Sequence, residues 1–162
     1  MQRSEHPQRG TGVNDREVYE KVNSSLVRYA TVLVGPNDAA DVVSTVVVRA
    51  IGRKGGLAGL DDAEVYLMKA VLNESNSFKR QRARRATLPV ADVPEIRAHR
   101  DEIDDSIELI NGLPPKQRAA AYLVYHEGYQ PSEAAAVMGV RPGTVRRYLH
   151  IARAKLEEGL RG

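Results

Sequence analysis

The sequence has 162 residues, of which 42% are apolar and 28% charged, with 24 Lys and Arg set against 21 Asp and Glu. That length accommodates one ordinary domain or two small ones and excludes a multi-domain enzyme, while the composition is that of a foldable, soluble chain. The absence of Cys excludes disulfides, Cys-ligated zinc, iron–sulfur clusters and thiol nucleophiles, and fits a reducing cytoplasm.

Residues 1–14 hold Arg3, His6, Pro7 and Arg9 but no apolar run, so they read as a flexible leader rather than a secretion signal. Asn14 or Asp15 can cap a first helix whose Val18, Val22, Leu26, Tyr29 and Leu33 form one apolar face, and Gly35-Pro36 ends it. The run Val42-Val43-Ser44-Thr45-Val46-Val47-Val48 has strand propensity, yet Ala39, Val42, Val43, Val46, Val47 and Ala50 fall on a helical period, which predicts a helix over 38–51. A Gly-rich loop, residues 52–60, leads to a third helix capped by Asp61 or Asp62. Its apolar positions are Val65, Leu67, Met68, Val71 and Leu72, and it runs on to about Arg85. Residues 86–100 contain two prolines and no sustained period, which predicts a linker. Beyond it, Ile103, Ile107 and Ile110 mark a short helix; Pro114 or Pro115 opens another carrying Ala119–Tyr125. A third covers Ser132–Met138, and Pro142 starts the last, which reaches about Leu156. With no Trp and a single Phe, these helices must bury aliphatic cores. The prediction is an all-α fold: a leader (1–14), a helical domain (15–85), a flexible linker (86–100) and a second small helical domain (101–162).

Charge is unevenly spread. Five basic residues lie in 73–85 (Lys79, Arg80, Arg82, Arg84, Arg85) and five more in 141–155, the latter with no acid among them, whereas 101–108 holds five acids and no base. Two separated positive patches suit a polyanion held in two places. Around the second patch, Gln130–Leu156 has the layout of a helix-turn-helix: a short helix, Gly139 where a left-handed backbone is needed, a three-residue step and a longer helix. On that longer helix Val145, Leu149, Ala152 and Leu156 lie within about 60° of one another and predict the buried stripe. The other side presents Arg141, Thr144, Arg146, Arg147 and His150, residue types able to pair with base edges in a major groove. On the third helix Asn73, Ser77, Arg80 and Arg84 share one face, a second candidate for nucleic-acid contact.

Asp38-Ala-Ala-Asp41-Val-Val, Arg49-Ala-Ile, Glu64-Val-Tyr-Leu67 and Val71-Leu-Asn73 before a basic run resemble the second conserved region of the extracytoplasmic-function (group IV) sigma factors of the sigma-70 family. Leu113-Pro-Pro-Lys-Gln-Arg118, Gly139-Val-Arg-Pro-Gly-Thr-Val145 and Leu149-His150-Ile-Ala152-Arg153-Ala-Lys-Leu156 resemble their fourth. The resemblance implies a bacterial transcription initiation factor that is not itself an enzyme. Such a factor acts in the cytoplasm, binds core RNA polymerase through the β′ clamp and the β flap, and directs it to promoter DNA. By position, Asp38, Asp41 and Arg49 would face the clamp. Asn73, Ser77, Arg80 and Arg84 would lie near the minus-10 element, with the loop Gly55–Leu60 as a pocket for an unstacked base. Arg141, Thr144, Arg146, Arg147 and His150 would meet the minus-35 element. An anti-sigma factor is a further partner of such proteins. The chain departs from the family pattern at Ser44-Thr45-Val46, where Gln-Glu-aromatic is usual, and at Ile51, where Trp is usual, so that only Tyr66 and Phe78, either of which can belong to the core, are aromatic nearby.

Rival readings are a sigma-like interaction protein that does not support initiation, a simple helix-turn-helix regulator, and a phosphate-binding strand and turn. The last lacks both GxxxxGK[ST] and GxGxxG. The four His are scattered without a metal-binding spacing, so no metal or cofactor is expected, and no segment has the apolar length of a membrane span.

Overall fold

A computed structural model describes residues 14–86 and 109–161, and every regular element among them is helical. They are α1 (Asp15–Val34), α2 (Ala39–Gly52), α3 (Ala63–Arg85), α4 (Pro115–Ala121) continuing into a π turn (Tyr122–His126), α5 (Pro131–Met138) and α6 (Pro142–Arg161). The leader up to residue 13, the linker from residue 87 onward and the helix expected around Ile103 and Ile107 lie outside the described residues.

Asn14 caps α1 by accepting from the backbone N–H of Glu17 at 2.9 Å, and Asp15 is used instead to accept from Ala58 N at 2.9 Å in the Gly-rich loop. That tie requires glycine at 56, where φ is +58° and a Cβ would sit 2.6 Å from the Asp15 carboxylate. α2 is a helix despite its valines, and all of its predicted core positions are buried, while Val48 points to solvent. The reason is one of magnitude: β-branching costs a few tenths of a kcal/mol per helical residue, whereas burying a valine side chain returns about 1.5 kcal/mol or more. Asp62 caps α3 through Val65 N at 3.1 Å. α1, α2 and α3 pack mutually around Leu26, Leu57, Leu67, Met68 and Val71, all wholly buried.

In the C-terminal half, Pro115 opens α4 as the sequence suggests, but the helix widens to a π turn at Tyr122, where Glu127 N bonds Tyr122 O at 3.0 Å. The wider turn lets the adjacent Tyr122 and Leu123 both face inward while Tyr125 and His126 face out. α6 runs past Leu156 to Arg161. Leu156 is the half-buried last residue of the apolar stripe, and beyond it the exposed Glu157, Glu158 and Leu160 are good helix formers that carry the helix on through Gly159 with no proline to stop it.

The two halves are docked, α4 against α1 and α5 against α3, so their aliphatic cores merge into one. At the seam Tyr29 and Tyr122 are both 0% exposed and stack at 5.6 Å between ring centroids. The Tyr122 hydroxyl donates to Glu127 Oε1 at 2.6 Å, and Arg28 Nη2 lies 3.6 Å from the same oxygen. Arg118 bridges the halves, donating from Nη1 to Val32 O at 3.2 Å and from Nη2 to Leu113 O at 2.9 Å. Tyr129 donates to Glu64 Oε1 at 3.2 Å. Burial first, and the Glu127 carboxylate second, push the Tyr122 phenol well above its ordinary range, so it remains a neutral donor.

Candidate nucleic-acid interface

α5 begins with Gln130, whose backbone N–H donates to the Glu133 carboxylate at 2.8 Å, satisfying a donor that the first helical turn leaves open. It ends at Gly139, where φ +66° and ψ +32° are left-handed, and the next residue, Val140, bonds back to Ala135 O at 3.1 Å. This closure turns the chain in three residues, and α6 starts at Pro142 with Thr144 N and Val145 N both bonded to Arg141 O. Ala134, Ala135 and Val137 of α5 pack against Val145, Leu149 and Ala152 of α6, all buried. A Cβ at 139 would meet nothing within 4 Å, so a Gly139→Ala change should cost only the left-handed backbone penalty, about 1–2 kcal/mol. Urea unfolding of Gly139→Ala and Gly139→Asn checks this, with Asn expected to lose less because it tolerates that conformation.

With that stripe buried, Arg141, Arg146, Arg147 and His150 are exposed and Thr144 is half-buried, together making one outward face. Among the described residues none of those four basic side chains has a hydrogen bond or ion pair, although exposed arginines elsewhere pair readily, as Arg16 does with Glu20, Arg49 with Glu74 and Arg82 with Asp38. Their donors are free because residues 141–155 contain no acid. Arg153, on the flank, is different. Its Nη2 donates to the Tyr125 hydroxyl at 2.8 Å and its guanidinium lies 5.9 Å from that ring centre, so it braces α6 on the π turn.

α3 places Asn73, Ser77, Arg80 and Arg84 on one face as the spacing predicts; Asn73, Arg80 and Arg84 are exposed and Ser77 half-buried. Beside Asn73 a groove of about 250 Å³ between α2 and α3 is lined by Tyr66, Arg49, Ala70 and Glu74. Tyr66 is 43% exposed, not core, and the Arg53 guanidinium lies 5.4 Å from its ring centre. Tyr66, one of the two aromatic residues near the departures from the family pattern, is thus a surface residue. Its placement one residue before the buried Leu67-Met68 pair was the available signal that it faces away. The loop from Gly55 to Leu60 is exposed at Gly55, Ala58 and Gly59 and anchored by buried Gly56 and wholly buried Leu57.

Asp38, Asp41 and Arg49 project from the start and end of α2, yet two of them are engaged within the chain. Asp38 accepts from Arg82 at 2.7 Å and Arg49 donates to Glu74 at 2.7 Å, both reaching α3. Among the described residues no cluster of His, Asp or Glu suits a metal ion, and no helix is long and apolar enough to cross a membrane.

Comparison with known proteins supplies the family. Residues 106–156 match the family described as Sigma-70, region 4. Over 147 residues, 84% of this chain and 79% of the relative, the sequence is 33% identical to an RNA polymerase sigma-E factor of Streptomyces avermitilis. It is 31% identical to the corresponding factor of Streptomyces coelicolor over 84% of this chain and 80% of that one. The chain belongs to the extracytoplasmic-function RNA polymerase sigma factors. The fold of this sigma factor agrees. It is similar to the sigma factor RpoE of Bartonella quintana, solved with the anti-sigma factor NepR, at a TM-score of 0.72 with 24% identity, covering 90% of this chain and 96% of that one. It is also similar to CnrH, solved with the cytosolic domain of CnrY, at a TM-score of 0.62 with 23% identity, covering 91% and 89%. The phosphate-binding strand and turn is thereby set aside, since the valine run it required is α2.

Proposed function

We propose that this sigma factor binds core RNA polymerase in the cytoplasm and directs it to promoters carrying two elements, leaving the chemistry of RNA synthesis to the polymerase. The α6 face, with Arg141, Thr144, Arg146, Arg147 and His150, reads the minus-35 element in the major groove. The α3 face, with Asn73, Ser77, Arg80 and Arg84, meets the minus-10 element. Asp38, Asp41 and Arg49 of α2 face the β′ clamp, and the C-terminal half meets the β flap. The working units are residues 15–85 and 101–162, with 86–100 as the tether between them and 1–14 as a leader. An anti-sigma factor is the proposed regulator, as in the RpoE–NepR complex.

The observation that carries this reading is the set of unpaired donors on the exposed face of α6. Two elements two helical turns of DNA apart are separated by roughly 70 Å. Docked halves, each about 28 Å across by their residue numbers, bring their centres to within about 30 Å. Promoter binding at both elements therefore requires the halves to part. A tether of 15 residues, spanning about 20–23 Å as a coil and at most about 50 Å extended, makes up the difference when the domain radii are added.

In vitro transcription with purified core polymerase tests the proposal. The expected result is a defined transcript from a two-element promoter and a footprint over both elements. Core binding without a transcript would favour an interaction protein, and a palindromic footprint without polymerase would favour a helix-turn-helix regulator.

A further inference from the structure

The basic run at the end of α3 is two patches. At 3.6 residues per turn, Arg80 and Arg84 point with Asn73 and Ser77, whereas Lys79 and Arg82 are turned about 130° and 170° away from the centre of that stripe. They enter a cleft of about 410 Å³ at the junction of the halves, lined by residues 31–36 at the end of α1, by Phe78, Lys79 and Arg82 of α3, and by Asn111 and Arg118 from the other half. Promoter DNA lying on the Asn73 face cannot reach these cations across a helix about 10–12 Å in diameter.

Among the described residues Lys79 has no hydrogen bond or ion pair, and its charge is disfavoured first by burial and then by the facing Arg118. Arg118 is itself spoken for in part: its three nitrogens donate to Val32 O and Leu113 O, which covers a carbonyl that the end of α1 would otherwise turn on an anion. Two of its five N–H groups remain. Arg82 gives Nη1 to Asp38 and keeps other donors. Among the described residues no acid lines the cleft, and the one carboxylate beside it, Asp38, is taken up by Arg82, so Lys79 and Arg118 face the space without a counter-charge and Arg82 stands at its edge. Apart from Thr31, Gly35 and Asn111, the rest of the described wall is apolar: Val32, Leu33, Val34, Pro36 and Phe78. A bare ion would leave that wall uncovered; an anion attached to a flat or apolar group would fill it.

We propose that the junction cleft is a binding site for a small phosphate ester of nucleotide size, its phosphate held by Lys79, Arg82 and Arg118 and its organic part against Phe78 and Pro36. A dianionic phosphate offers three acceptor oxygens to an ammonium and to planar guanidinium forks, and it relieves the repulsion between Lys79 and Arg118. Because Lys79 belongs to α3 and Arg118 to α4, an occupant ties one half to the other and favours the docked arrangement. The inference does not depend on the promoter reading, since its site shares no residue with either DNA face.

Calorimetric titration of the full chain with ADP and with inorganic pyrophosphate, without DNA or polymerase, tests it. The expected result is saturable one-to-one binding of ADP, weaker binding of pyrophosphate, and a Tm that rises with ADP concentration. Lys79→Gln should weaken ADP binding at least tenfold, while its Tm without ligand stays level or rises because a half-buried charge facing Arg118 is gone. Arg16→Gln, which removes one positive charge far from the cleft, should bind ADP as the native chain does. Non-saturating binding, equal weakening by Arg16→Gln, displacement of ADP by a short DNA duplex, or tighter binding of an acidic oligoglutamate peptide than of ADP would each overturn the proposal.

Discussion

Arg147→Ala is expected to lower the affinity of the full chain for a duplex carrying its upstream element by about 1–3 kcal/mol, roughly 5- to 150-fold, and to abolish discrimination at one base pair. Arg147 is exposed near the centre of the α6 face and has no hydrogen bond or ion pair among the described residues, so its removal should leave Tm unchanged. Loss of affinity can then be read as loss of a DNA contact. A guanidinium that pairs bidentately with guanine pays its penalty only on the sequence that offers guanine, whereas one that holds phosphate pays on every sequence. Fluorescence anisotropy on a set of duplexes with single substitutions separates the two, and uniform weakening would demote Arg147 to a backbone contact. Arg153→Ala is the internal control. That side chain already donates to Tyr125, so its loss should appear in stability before it appears in base preference.

How far the sequence carries the fold depends on whether a residue's fate is decided locally. The α2 valines were legible because a period of 3.6 records which positions are buried, and burial outweighs β propensity by a factor of several. Gly139 and Pro142 were legible because a left-handed turn and a helical N1 position each restrict the residue types that fit. The docking of the halves was not. Tyr29 lies on the α1 apolar face in either case, and nothing in its spacing tells whether its partner is α2, α3 or a residue 93 positions away, 122 − 29, as the stacked pair has it. The π turn that brings Tyr122 inward leaves no proline or glycine signature within Tyr122–His126. Among site residues, the α6 face followed from a single helix and a charge run without acids. The engagement of Asp38 by Arg82 and of Arg49 by Glu74 joins α2 to α3 across separations of 44 and 25 residues, which spacing cannot report. The same limit hid the division of the α3 basic run, since its Lys79 side is defined by α1 and α4 rather than by α3.

Tyr122→Ala should produce the largest loss of stability of any change considered, about 3–5 kcal/mol, because it removes a wholly buried aromatic ring, its stack on Tyr29 and its bond to Glu127. Part of that loss falls within the C-terminal half, so a second variant isolates the seam. Arg28→Glu replaces a half-exposed cation 3.6 Å from Glu127 with a like charge at the seam, without changing any buried apolar side chain. Arg28→Glu is expected to keep the helical circular dichroism of the native chain while raising its radius of gyration in small-angle X-ray scattering, as the halves part without unfolding. Docking and two-element binding compete for the same molecules, since the docked centres lie about 30 Å apart and the elements roughly 70 Å. A state that is no longer held docked has less to give up on binding, so apparent affinity rises by the inverse of the fraction previously open. Arg28→Glu should therefore bind a duplex with both elements more tightly than the native chain does, while binding a minus-35-only duplex equally well. Equal affinity of the two proteins for the two-element duplex, alongside an expanded radius, would mean that the seam between Tyr29 and Tyr122 plays no part in regulating promoter access.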